Sequence, residues 1–271
     1  MEQYGEEGYL RKSNVLSCIC HDLRSSVHLI EGFGNLLIAD ETMDPEQQSK
    51  VELITRHTKF MLGMLEELEQ LARMDYVGKA VAMEKVSLGV MVQECVEMVS
   101  AMAEEKGLRV TWLDSPGTCP VIKADPIRLR QVLLNLLINA IKYNRPQGEV
   151  AITWAVCASD KVRLFIHDTG MGIPDDRRHE VFRPFSRLGR EHSPVQGSGL
   201  GLAIAKELVA LMGGDIGFDS IEGKGTTFWL DLKRGTKRPA FTSTLTHAAL
   251  LGFSRLMKKQ DETLVQPVMI L

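Results

Sequence analysis

What this chain lacks narrows it first. None of its 271 residues belongs to an apolar run approaching the roughly 20 needed to cross a bilayer, so no membrane contact is expected within it. No sign of charge dominates. Thirty-two Lys and Arg stand against 35 Asp and Glu, for a formal net charge of -3, and no strong field draws in nucleic acid. Cysteine is sparse and odd in number. Cys18, Cys20, Cys95, Cys119 and Cys157 show no paired zinc-ligand spacing, so reduced thiols in a cytoplasmic compartment are expected. Met1 to Leu10 is acidic and polar, unlike a secretory leader, and no internal repeat is visible. What remains is 44% hydrophobic and 25% charged, an ordinary globular composition for one large domain or two small ones.

Residues 1-12 carry no motif. From Ser13 an apolar step of four and three begins: Leu16, Cys20, Leu23, Val27, Ile30, Gly34, Leu37. That is a heptad seam. Asp44-Pro45-Glu46-Gln47 is a helix start, with a capping carboxylate, proline at the first helical position and Gln47 at the capping-box return. A second seam follows through Val51, Ile54, Thr58, Met61, Leu65, Leu68 and Ala72. Two such helices joined by a short turn make an antiparallel hairpin. One hairpin buries two apolar stripes poorly, and a dimeric four-helix bundle buries them well. His21-Asp22 lies one position past the seam residue Cys20, at the edge of the bundle with its ring toward solvent. His28 and His57 read as surface or packing histidines.

Tyr76 to Lys85 reads as a linker. Beyond it, Val90 to Ala103 has helical spacing, and Leu108 to Leu113 alternates like a half-buried strand before a Pro116-Gly117 turn. Asp125-Pro126 starts a helix through Leu137 and Ala140. Val150 to Val156, Lys161 to His167, Ile216 to Asp219 and Thr226 to Leu232 read as strands, and Ile204 to Leu211 as a helix. Helices grouped against a meandering sheet give an α+β layered sandwich. From Lys233 the chain becomes basic and then mixes Thr, Ala and Leu, as a flexible tail, a helix packed on the body or a partner-docking segment.

Four stretches of this second region carry chemistry. Asn135 and Asn139 lie one turn apart on one face of an apolar helix. There an amide is costly unless satisfied; it either caps backbone or ligates Mg²⁺, with Lys142 in reach of a phosphate. Asp168-Thr169-Gly170-Met171-Gly172 follows a strand, so its carboxylate can accept from an exocyclic amine such as adenine's, and its glycines admit a ligand close to the backbone. Gly197-Ser198-Gly199-Leu200-Gly201 opens a helix whose amides and dipole suit a triphosphate. It is neither a P-loop nor a dinucleotide fingerprint. Gly225-Thr226-Thr227-Phe228 is a glycine turn into a strand.

At these residues the chain resembles the two-component sensor histidine kinases. The shared set is an H-box (His21-Asp22-Leu23-Arg24), an N-box (Asn135 to Tyr143), a DxGxG box (Asp168 to Gly172), an F-box (Phe182-Arg183-Pro184-Phe185), a GxGLG box (Gly197 to Gly201) and the GTTF strand, in order over residues 13-233. The resemblance implies an N-terminal extension (1-12), a dimerisation and phosphotransfer hairpin (13-76), a linker (77-84), a Bergerat-type ATP-binding domain (85-233) and a tail (234-271). It implies that His21 is the nucleophile and Asp22 its proton acceptor. Asn139 would ligate Mg²⁺, with Asn135 and Lys142 near the phosphates and Tyr143 among the nucleotide-binding residues. Asp168 would contact adenine, supported by Thr226, with Gly170 and Gly172 beside it. Gly197, Gly199, Leu200 and Gly201 would flank the phosphates. Residues 182-196 would form a lid in which Arg187 meets the γ-phosphate.

The implied activity is ATP-dependent autophosphorylation on histidine, then transfer to an aspartate of a response regulator. ATP and Mg²⁺ are the cofactors, and a homodimer and a receiver domain the partners. The place is cytoplasmic, alone or as part of a longer sensor. Two departures stand out. Ser26 replaces the family's proline, implying a straighter helix, and Ser25 replaces the Thr or Asn that serves phosphatase activity toward the regulator. The alternatives are a dimeric ATP-binding pseudokinase or scaffold, and a chaperone or mismatch-repair type ATPase, against which the H-box hairpin argues.

Overall fold

A computed structural model describes the backbone of residues 2–40, 42–76, 81–112, 119–157, 160–189 and 197–235, with side chains from Ile19 onward except in 70–76. Gly78, the Pro116-Gly117 turn, lid residues 190–196 and the tail from residue 236 lie outside the described residues, as do the side chains of Leu16, Cys18 and Ala72. The chain divides into two compact units, Met1–Val81 with Pro174–Leu211, and Ala82–Ile173 with Met212–Leu271.

In the first unit, α1 (Glu2–Ile38) and α2 (Pro45–Tyr76) form the hairpin. α1 begins well before Ser13, because apolar periodicity does not register a polar helical turn. α2 starts as expected. Asp44 Oδ1 accepts from the N–H groups of Glu46 and Gln47, both at 2.9 Å, satisfying donors that have no partner inside the helix. Each seam is only half used within the chain. Cys20, Val27, Val51 and Thr58 are buried, whereas Leu23 (47%), Ile30 (48%), Ile54 (52%) and Met61 (50%) stay exposed. Without the proline, α1 runs unbroken past the H-box. Ser25 Oγ donates to the His21 carbonyl and Ser26 Oγ to the Asp22 carbonyl, each at 3.2 Å. Arg24 pairs with Glu69 of α2, which ties the two helices together beside His21. The same unit holds a 3-10 turn (Asp175–Glu180) and α5 (Gly201–Leu211).

The second unit is a mixed sheet with helices α3 (Leu88–Glu105) and α4 (Pro126–Lys142). Its strands are β1 (Glu84–Ser87), β2 (Arg109–Trp112), β3 (Val121–Ala124), β4 (Glu149–Val156), β5 (Lys161–Asp168), β6 (Asp215–Ile221) and β7 (Gly225–Arg234). They lie in the order β1-β3-β7-β5-β4-β2, with β6 also on β7. The path is more than a meander, since β2 runs parallel to β4. β1 and β3 were not expected. Four residues each are too few to show alternation, so β1 takes Glu84 and Lys85 out of the expected linker, and β7 takes Arg234 out of the expected tail.

α4 is the core helix. Asp125 caps it, accepting at Oδ1 from the N–H groups of Ile127 (3.1 Å) and Arg128 (3.2 Å), and Pro126 opens it. Leu129, Val132, Leu133, Leu136, Leu137, Ala140 and Ile141 are buried, each large one contributing about 1.5–3 kcal/mol. Leu136 is 0% exposed, so Leu136→Ala is expected to cost about 2–5 kcal/mol, read as a lowered urea midpoint at unchanged slope. Among the described residues no helix is long and apolar enough to cross a membrane, and Cys20, Cys95 and Cys157 are free thiols.

Candidate functional site

In the second unit the site residues gather where β5 ends. Val162, Leu164, Ile166 and Asp168 occupy alternate positions of β5, and all are buried. A carboxylate therefore ends an apolar row, 6% exposed. Gly170 N–H donates to its Oδ1 at 2.8 Å and Thr226 N–H to the same oxygen at 3.3 Å. Thr226 supports Asp168 through its backbone, while its hydroxyl lies 3.0 Å from Ser220 Oγ. Burial pushes the Asp168 carboxyl up to about 6, against the pull of the two N–H bonds. A group that is costly to ionise, at a strand end beside a glycine loop, is a candidate binding residue.

The loop after Asp168 is tied to the end of the N-box helix. Met171 N–H donates to the Tyr143 carbonyl at 3.2 Å, and Gly223 N–H to the Met171 carbonyl at 2.7 Å. Asn135, Asn139 and Lys142 lie half-buried on α4, and Tyr143 is its C-cap. Asn139 offers one neutral oxygen, the donor type Mg²⁺ accepts when water and phosphate oxygens supply the rest. Gly172 is required as glycine. Its φ is +67° and a Cβ would stand 2.1 Å from the Ile221 carbonyl oxygen. Gly172→Ala should displace the loop and weaken nucleotide binding about fivefold or more, on the order of the 1–3 kcal/mol of a strained backbone position, measured by titration with a non-hydrolysable ATP analogue.

In the first unit, Cys20 is 1% exposed, and the next helical position turns about 100° away. His21 is accordingly open, with 73% of its side chain exposed and Nδ1 3.5 Å from Asp22 Oδ1. The glycine box forms a shaped loop. Phe185 N–H donates to the Gly199 carbonyl at 3.0 Å. A Cβ on Gly199, whose φ is +75°, would meet the Phe185 carbonyl carbon at 2.7 Å. Leu200 is fully buried and anchors the start of α5, its N–H held by Ser198 Oγ at 3.1 Å. Gly197 lies before this turn, Gly201 opens α5, and Arg187 is half-buried in the segment that follows Phe185.

Sequence reasoning missed the layer that holds the Asp168 loop. Thr169 Oγ1 donates to Asn144 Oδ1 (3.1 Å) and accepts from Glu149 N–H (2.8 Å). Ser220 Oγ accepts from Ile173 N–H at 2.8 Å and contacts the Gly225 carbonyl at 3.0 Å. Asn144, Thr169 and Ser220 are all buried. The only signal was position. Asn144 follows the N-box and Thr169 sits inside the aspartate box, where a small polar residue more often makes a turn.

Comparison with known proteins gives the family and the fold. Residues 124–236 match the family described as histidine kinase-, DNA gyrase B- and HSP90-like ATPases. The chain is 31% identical over 248 residues to the hybrid signal transduction protein dokA of Dictyostelium discoideum, covering 88% of this chain and 15% of that one. It is 31% identical over 228 residues to the sensor protein GacS of Pseudomonas syringae pv. syringae, covering 82% and 25%. The chain thus spans a quarter or less of the length of these two relatives. Among solved structures, full-length ShkA in complex with AMPPNP is 30% identical with a TM-score of 0.68, covering 84% of this chain and 47% of that one. The architecture is the α+β, Bergerat type of such catalytic domains.

Proposed function

This chain belongs to the two-component sensor histidine kinases, whose catalytic core it carries, and on that premise we propose that it transfers the γ-phosphoryl group of ATP to His21 and then to an aspartate of a response regulator. The observation that carries the proposal is the open His21 ring with Asp22 at its Nδ1, in a chain whose buried Asp168 ends a strand beside the N-box helix. Asp168 Oδ1 is spent on two backbone donors, and Oδ2 is assigned to the adenine amine. Tyr143, Gly170 and Gly172 are assigned to the nucleotide beside Asp168, and Asn135 and Lys142, with Gly197, Gly199, Leu200, Gly201 and Arg187, to its phosphates. Asn139 would hold Mg²⁺, which when bound neutralises charge on the phosphates.

The neutral imidazole carries its proton on Nδ1, and the Nε2 lone pair attacks the γ-phosphorus. The bond to the bridging oxygen breaks and ADP leaves with that electron pair. As positive charge grows on the ring, the Nδ1 proton moves toward Asp22. The 3.5 Å separation is at the outer limit of a hydrogen bond and shortens as that charge develops. Ser25 is committed to the His21 carbonyl, so phosphatase activity toward the regulator needs that hydroxyl to turn outward. The exposed half of each seam supports a homodimer, in which a second copy covers Leu23, Ile30, Ile54 and Met61. A cytoplasmic location is proposed with this activity, since ATP is its substrate.

Incubation with γ-labelled ATP and Mg²⁺ tests the proposal. Acid-labile, alkali-stable label on the protein is expected. Steady ATP turnover with no phosphoprotein would instead support an ATPase of the wider superfamily. Nucleotide binding with no label would support the scaffold alternative, which no feature of the described residues favours.

A further inference from the structure

Within the first unit one acidic side chain reaches the glycine loop. Ser198 Oγ donates to Glu67 Oε2 of α2, while the same oxygen accepts from Leu200 N–H at 3.1 Å. The hydroxyl is thereby polarised in one direction, from the amide through Ser198 to the carboxylate, and each bond strengthens the other. Glu67 lies in the acidic run Glu66-Glu67-Leu68-Glu69. Its neighbour Glu69 is already matched by Arg24, whereas Glu67 is directed to the loop. That loop opens α5, an 11-residue helix, and the N-terminal end of a helix favours an anion. A carboxylate and a phosphate seek the same donors there.

We infer that Glu67 is a positioning residue: it holds the glycine loop on α2 before nucleotide arrives, and its carboxylate competes with the nucleotide phosphates for that loop. The inference rests on the reading of Gly197 to Gly201 as a phosphate loop. Two consequences follow. Nucleotide binds more weakly than it would to the loop without Glu67, because the carboxylate must be displaced. By reciprocity, bound nucleotide loosens the loop from α2 by the same factor. Filling the site therefore releases this part of the unit from the hairpin.

The test is titration of the full chain with AMPPNP and Mg²⁺ by calorimetry, for wild type, E67Q and E67A, at low and high ionic strength. Gln keeps the acceptor oxygen and removes the charge, and Ala removes both. Both variants are expected to bind about two- to fivefold more tightly, the order of one surface charge near a helix N-terminus. The gain should shrink as salt screens the charge. Equal or weaker binding in the variants overturns the inference, and so does a gain that ignores salt, which is the mark of a merely structural role. If E67A melts before titration, E67Q decides alone. A wild type that binds no nucleotide overturns the kinase reading and this inference together. A wild type that binds, with unchanged affinity in E67Q, overturns this inference only.

Discussion

A chain carrying His21→Gln is expected to take up no acid-labile label from γ-labelled ATP while still binding AMPPNP. Gln offers an amide of similar reach but no ring lone pair able to form the P–N bond, so the covalent step is lost rather than slowed. The site geometry makes the effect local. His21 is exposed, and its contacts are Asp22 at 3.5 Å and the hydroxyl of Ser25 on its carbonyl; neither contributes to the core. Stability should stay within about 0.5 kcal/mol of wild type, as for surface substitutions generally. Asp22→Asn should lower the rate by about 10²-fold, within the range for a positioned proton acceptor, and should not abolish label. His28→Gln is the control. His28 is also exposed on α1, but its Nδ1 lies 3.4 Å from Glu31 one turn on, and its label should match wild type. Label that persists in His21→Gln moves the phosphoacceptor elsewhere and ends the assignment.

The ease of reading His21 from sequence has a physical basis. A helix repeats every 3.6 residues, so the seam residue Cys20 dictates where its neighbour points, and the exposure of the ring follows. The same rule told only half the story for the seams. Periodicity cannot distinguish a stripe buried within one hairpin from one left for a partner, and Leu23 and Ile30 differ from Cys20 and Val27 only in three dimensions. The start of α2 was legible because an Asx cap and a proline act locally. β1 and β3 were not, because a four-residue strand owes its existence to long-range pairing, as in Glu84 with Ala124. The Asp168 box was readable as a strand followed by glycines. The Asn144, Thr169 and Ser220 bonds that steady it were not, since they join residues as far as 47 positions apart. Ser198 and Glu67 are separated by 131 positions, a pairing that no local pattern encodes.

Replacing Asp168 with asparagine should separate stability from binding. Burial raises the Asp168 pKa from the ordinary 3.8 of a solvated aspartate to about 6 in the folded protein. Between those two values the folded state holds more proton than the unfolded state, so stability falls as pH rises through that window. The protonated group's advantage is fully present below about 3.8 and gone above about 6. At neutral pH the ionised carboxylate therefore costs the unliganded protein about 3 kcal/mol, at about 1.4 kcal/mol for each tenfold change in proton affinity. Asparagine keeps the acceptor for Gly170 and Thr226 without the charge. Unliganded Asp168→Asn should be more stable than wild type by about that amount at pH 8, and the gain should vanish near pH 4. Its affinity for AMPPNP should fall about 10- to 100-fold, because a neutral amide replaces the charged acceptor, a difference of about 1.5–3 kcal/mol. Urea titrations at both pH values and calorimetry at pH 8 read the two effects. A variant less stable than wild type at pH 8, or one that binds AMPPNP unchanged, would show that Asp168 is a structural residue and not the adenine contact.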